Sequence, residues 1–118
     1  MVINLHLRFG GINRRVAMPE RQQILAALAD DTRVRMLFVL GNGTHTAGEL
    51  AGRLMVPAST LSFHLNTLVK AGLANYRKSG RQRLYSLTTR VRHRGSNLLI
   101  QTPQLRLTLQ GEHDEKDR

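Results

Sequence analysis

The stretch Pro57–Leu73, PASTLSFHLNTLVKAGL, decides how the chain is read. As a helix it brings Leu61, Leu65 and Leu68 together at i, i+4 and i+7, a spacing that builds one apolar stripe for a core. At roughly 100° per residue Phe63 then lies about 160° from that stripe, beside Ser59, Asn66 and Lys70. A phenylalanine on an otherwise polar face has no folding role, so the face itself needs a purpose.

The residues before the stretch supply one half of an answer. Thr46 with Glu49 three residues later fits a capping box, in which two free backbone N–H groups are satisfied reciprocally, and Leu50 and Leu54 point inward from the helix so started. Only MVPAS separates that helix from the next, which leaves room for a tight turn alone. Two short helices so joined make a helix-turn-helix. Gly72 is the expected left-handed cap of the second helix.

The residues after it supply the other half. LANYR and RLYSL are strand-like runs around the Gly-containing KSGRQ, a β-hairpin with a basic tip. Upstream, Pro19 suits a first helical position, and Ile24, Leu25 and Leu28 form the apolar stripe of a helix of roughly ten residues. Asp31 can cap the following helix, whose Val34, Leu37, Phe38 and Leu40 face inward before GNG ends it. The fold class expected is mainly α with a small β-hairpin, a winged helix-turn-helix over residues 19–87.

The two ends differ from this block. VINLHLRF alternates apolar and polar residues with a strand's period before GGINRR breaks it, so residues 1–18 read as an N-terminal extension, either an edge strand or a disordered arm. Met18 directly precedes the regular patterning and is a candidate start. From Thr88 to Arg118 no amphipathic helix is visible. That segment has a basic start, a strand-like middle broken by Pro103, and a charged end, and is expected to be partly disordered.

Composition bounds the chemistry. The 118 residues carry a net charge of +10, the mark of a small basic domain that meets a polyanion. From Glu20 to Leu87 there are nine Lys and Arg against four Asp and Glu, and Lys70–Arg83 holds five cations and no acid. With no cysteine in the chain, disulfides, thiolate metal sites and cysteine nucleophiles are excluded. No apolar run approaches the ~20 residues of a membrane span, and the first residues lack a signal peptide's charged start and long apolar block, so a cytoplasmic protein without a membrane partner is expected.

In helix-turn-helix geometry the second helix presents small polar side chains to base edges, with cations around the rim for phosphates. Ser59, Thr60, Ser62 and Asn66 suit the first role, and Lys70, Arg77, Lys78, Arg81 and Arg83 the second. Lys78 and Arg81 flank the Gly80 turn, from which they reach the DNA backbone or a minor groove. His64, at the edge of the apolar stripe, is expected to pack and hydrogen-bond rather than to ligate; His45 is the other metal candidate, and no ligand-like pairing joins His6, His93 and His113. Ser62 and His64, two apart on a helix, diverge too far to act as nucleophile and base. No phosphate-binding glycine loop is present. Neither catalysis, a cofactor nor a metal is expected.

The block Ala27–Leu87 resembles the ArsR/SmtB family of winged-helix repressors in three pieces: LADDTRVRML, STLSFHLNTLVKAGL and RKSGRQRLYSL. TLSFHL is most similar to the arsenical-resistance branch. The resemblance implies a homodimer that binds an imperfect palindrome in double-stranded DNA and leaves it when an effector binds. It matches Ala58, Ser59, Thr60, Ser62 and Phe63 to recognition-helix positions, and Lys78, Arg81 and Arg83 to the wing. Family members that sense metals through the third helix have cysteines where this chain has Thr46 and Gly48, and the arsenical branch has them near its C-terminus; both sets are absent. The closing dimer helix of the family is absent too, which a frame change near Thr88 would explain. Two alternatives stay open: a non-specific basic nucleic-acid-binding protein, and a family member that has lost effector sensing.

Overall fold

The computed structural model describes residues 2–7 and 14–111, with side chains from Glu20 onward. In chain order the elements are β1 (Val2–Leu7), α1 (Arg14–Leu28), α2 (Asp31–Leu40), β2 (His45–Thr46), α3 (Ala47–Leu54), α4 (Ala58–Lys70), β3 (Ala74–Ser79), β4 (Gln82–Leu87), β5 (Val91–Arg94), β6 (Asn97–Thr102) and β7 (Leu105–Gln110). The winged helix-turn-helix is present as α1 to β4. The β content exceeds expectation, because the chain closes with a second sheet.

Two helix starts are corrected. α1 begins at Arg14, five residues before Pro19, so the proline sits inside the helix rather than at its first position; its ring removes one i→i−4 hydrogen bond. The cap of α2 is Asp30, not Asp31: Asp30 is extended at φ −146°, and its carboxylate accepts the Arg33 N–H at 3.0 Å. Asp31 is the first helical residue, where its charge still meets the positive end of the helix dipole.

The start of α3 agrees with the sequence in detail. Thr46 Oγ1 accepts from Glu49 N at 3.1 Å and Glu49 Oε1 accepts from Thr46 N at 3.0 Å, a complete capping box. The bond from the Thr46 backbone N–H, with the Thr46 hydroxyl beside it, holds the Glu49 carboxyl below its ordinary range. Thr46→Ala is therefore expected to lower the unfolding free energy by about 1 kcal/mol, read as a shifted urea midpoint at constant slope and protein concentration. An unchanged midpoint would show that the box adds nothing to stability.

The α3–α4 turn is three residues long. Met55 takes the left-handed conformation at φ 56° and is 90% exposed, and Pro57 leads into α4. α4 ends in a full Schellman motif, with Leu73 N bonded to Leu68 O and Gly72 N to Val69 O, and Gly72 at φ +75°. Inward, α4 buries Leu61, Leu65 and Leu68 against Ile24, Ala27, Val34, Met36, Leu37, Leu50 and Leu54.

The first sheet has the order β2-β4-β3. Its hairpin turns through Gly80 and Arg81, with the glycine at φ +63° in the first loop position, which L side chains avoid. β2, two residues long, adds a third strand that the sequence reading lacks.

The strand-like middle of the segment after Thr88 lies within residues 91–110, which form three strands of a four-stranded antiparallel sheet, β1-β7-β6-β5. The register pairs Leu98 with Leu109, Ile100 with Leu107 and Thr102 with Leu105, and all six are buried on one face. That face joins the core: a Cβ on Gly41, at the end of α2, would stand 3.3 Å from Leu98 Cδ2. Pro103 falls in the β6–β7 turn, where no ladder N–H is needed. β1 pairs with β7 over Val2–Leu7, the edge-strand alternative for this segment. The expected break after Phe9 and the charged end from Glu112 lie outside the described residues.

Candidate nucleic-acid interface

The outer stripe of α4 is laid out by the same periodicity that buries its leucines. Ala58, Ser59, Thr60, Ser62, Phe63, Asn66 and Lys70 are all exposed. Phe63 is 65% exposed, and its ring stands edge-on to the neighbouring His64 ring, at 5.5 Å between centroids. The face that raised the question is thus a short polar strip with one projecting aromatic.

α4 is seated from behind by Arg33. Its Nε donates to Ala27 O at 2.7 Å and its Nη2 to Ala26 O at 3.2 Å, which ties α2 to the last turn of α1. Its Nη1 lies 3.0 Å from His64 Nδ1. A guanidinium only donates, so His64 Nδ1 accepts and the ring proton sits on Nε2. Asp30 Oδ1 stands 3.9 Å from the same nitrogen. The hydrogen bond from the Arg33 backbone, helped by the Arg33 charge, holds the Asp30 carboxyl below its ordinary range against partial burial. His64 is therefore packed and hydrogen-bonded, as expected, and sequence reasoning missed its partner. Ser62 is exposed while His64 is buried, so the two point apart.

His45 is also buried, with Nδ1 2.8 Å from Gly43 O. Among the described residues no group of three metal-ligating side chains assembles.

The wing stands beside this strip. Lys78, Arg81 and Arg83 are exposed, as is Arg77. Arg83 lies over the Tyr76 ring, 4.3 Å from its centroid, and Tyr76 packs on Tyr85 across the hairpin at 5.4 Å. A hydrogen bond to Tyr85 raises the Arg83 pKa further above its ordinary value. Lys78 and Arg83 are directly opposite each other in the ladder. Like charges in that position destabilise a hairpin, and an anion between them relieves the repulsion.

Residues 19–77 match the family model described as a helix-turn-helix domain. The transcriptional repressor SdpR of Bacillus subtilis is 31% identical over 77 residues, 65% of this chain and 86% of that protein. The chain belongs to the ArsR/SmtB family of winged helix-turn-helix regulators. The uncharacterized HTH-type transcriptional regulator YdfF of B. subtilis is 41% identical over 70 residues, 58% of this chain and 31% of that protein. The chain spans 54% of another curated regulator, so it covers about a third to half of these two. A homodimeric winged helix-turn-helix DNA-binding domain from Mycobacterium bovis superimposes with a TM-score of 0.60 at 25% identity, covering 68% of this chain and 75% of that one. No described helix is long and apolar enough to cross a membrane.

Proposed function

We propose that this chain is a sequence-specific regulator of transcription, a repressor that binds a palindromic operator in double-stranded DNA as a homodimer. The observation that carries the reading is the exposed strip of α4. Small polar side chains at Ser59, Thr60, Ser62 and Asn66 are what base edges require, and the cations Lys70, Lys78, Arg81 and Arg83 beside them are what phosphates require. The like-charged Lys78–Arg83 pair across the wing supports an anionic partner there. The homodimeric M. bovis domain and the repressor SdpR support the assembly and the sign of regulation. The site of action is the cytoplasm, and no effector is assigned.

The second reading, a basic protein that binds nucleic acid without regard to sequence, is favoured by charge alone. Selection from a random duplex library followed by mobility-shift assays separates the two. A repressor binds its selected duplex at least ~10³-fold better than random duplex; equal binding would sink the proposal. Within that assay Ser62→Ala is expected to relax preference at one base position, and Arg81→Ala to weaken all duplexes about equally.

A further inference from the structure

The chain holds no acid between Leu50 and Gly111, and in the same stretch it holds ten Lys and Arg. Arg53 lies on α3, and the reading helix and the wing account for the next five. Arg92, Arg94 and Arg106 belong to the closing sheet, whose register decides where they point, and Arg90 lies in the turn just before β5.

Val91, Leu98, Ile100, Leu107 and Leu109 take the buried face, so their neighbours along each strand take the other. Arg92 pairs with Leu99 and Arg94 with Asn97, while Gln101 pairs with Arg106 and donates its N–H to Arg90 O at 2.9 Å. Arg92, Arg94 and Arg106 therefore share the outer face, while Arg90, in the turn before β5, lies over Gly72 and near Glu20. Arg92 and Arg94 follow each other at roughly 6.7 Å along the edge strand, with Arg106 two strands away.

Arg92, Arg94 and Arg106 are exposed and make no ion pair among the described residues; Arg90 alone is paired, 3.9 Å from Glu20. The turn that leads into this face, at Thr88–Arg90, meets the end of the reading helix. Lys70 and Arg90 line one surface cleft with Gly72, Thr88 and Glu20, the acid that Arg90 faces. Arg90 Nη1 lies 2.7 Å from where a Cβ on Gly72 would stand, so the bare glycine lets the arginine sit over the end of α4. Thr88 Oγ1 ties that corner by donating to Gly72 O at 2.6 Å.

We propose that the outer face of the four-stranded sheet is a second DNA-contact surface, on which Arg92, Arg94 and Arg106 grip phosphates of duplex flanking the half-site that α4 reads. This rests on the DNA-binding reading above. A row of unpaired guanidinium groups without an acid between them complements a phosphate backbone and carries no sequence preference. The occupant is thus duplex of any sequence, and its affinity is set by salt.

The test compares the full chain with the triple variant Arg92→Gln, Arg94→Gln, Arg106→Gln. Each binds the selected operator duplex trimmed to its palindrome, and the same duplex with flanks of about one helical turn, ~10 base pairs, on each side. Each phosphate contact contributes about 0.9 to the slope of log affinity against log salt, so on the flanked duplex the triple variant loses about 2.7 per chain. On the trimmed duplex its slope matches the wild type. The triple Lys variant keeps the wild-type slope on both, and the single variants Arg92→Gln and Arg94→Gln each lose about 0.9, which preserves the test should the triple Gln variant fail to fold.

An unchanged slope on the flanked duplex, or an equal loss on both duplexes, overturns the proposal. Lost RNA binding with an intact DNA slope overturns it in favour of an RNA surface. Absence of any operator preference in the wild-type chain is a different result and would overturn the repressor reading instead.

Discussion

Arg33→Ala is expected to lower the unfolding free energy by about 3 kcal/mol, with charge-assisted bonds contributing about 1.5–3 kcal/mol each and partial exposure reducing their sum. The side chain makes three contacts at once, to Ala26 O, Ala27 O and His64 Nδ1, and so joins the end of α1, the start of α2 and the back of α4. Truncation leaves the carbonyls at the end of α1 without that partner and leaves the buried His64 nitrogen without its donor. Arg33→Lys is expected to recover little, because one ammonium cannot span three acceptors that a planar fork reaches together. Urea unfolding at fixed protein concentration reads the loss, and a change below about 1 kcal/mol, the size of one ordinary hydrogen bond, would refute the bridging role. A cycle with His64→Ala adds a second reading: the pair should couple by 0.5 kcal/mol or more, whereas independent sites simply add. Since α4 is also the helix proposed to read DNA, the Arg33→Ala variant should bind its operator more weakly even where it is fully folded.

That bridge also marks where sequence reasoning stops. The reading helix, its cap and the wing were legible because each rests on signals a few residues apart: the leucine spacing, Gly72 after the last turn, Gly80 between two strand-like runs. Arg33 and His64 are 31 residues apart, and no local rule pairs them. Asp30 and Asp31 are equally good caps by type; only the backbone, which gives Val34 N to Asp30 O at 3.1 Å, decides between them. β2 is too short for its alternation to be seen.

The closing sheet is a different kind of miss. Leu105, Leu107 and Leu109 alternate strictly and the middle of the segment reads as strand-like, but the arginines around it and Pro103 gave no sign that it closes a sheet. Register removes the conflict, because Arg92, Arg94 and Arg106 all lie on the solvent face and Pro103 lies in a turn. High charge opposes a packed strand only when it falls on the buried side. The sheet occupies the place in the chain where the family resemblance implied a helix, and it packs its leucines into the same core as α2.

Phe63→Ala is expected to leave folding stability within about 0.5 kcal/mol, as for other exposed positions, and to reduce operator affinity about tenfold, within the 1–3 kcal/mol that one base contact carries. The asymmetry follows from exposure: a residue that is 65% open to water gives the fold little and has most of its apolar surface left to bury against a partner. Two roles lead to that loss and separate on modified DNA. If the ring packs on a thymine methyl, replacing that thymine by deoxyuridine weakens the wild-type protein and leaves Phe63→Ala unaffected, because the methyl group is all that the exchange removes. If the ring only fills the groove against sugar edges, the exchange is neutral for both proteins and the Ala variant is weaker on every sequence. A variant that binds all duplexes as tightly as the wild type would remove Phe63 from the interface, and with it the physical reason for an aromatic on the polar face of α4.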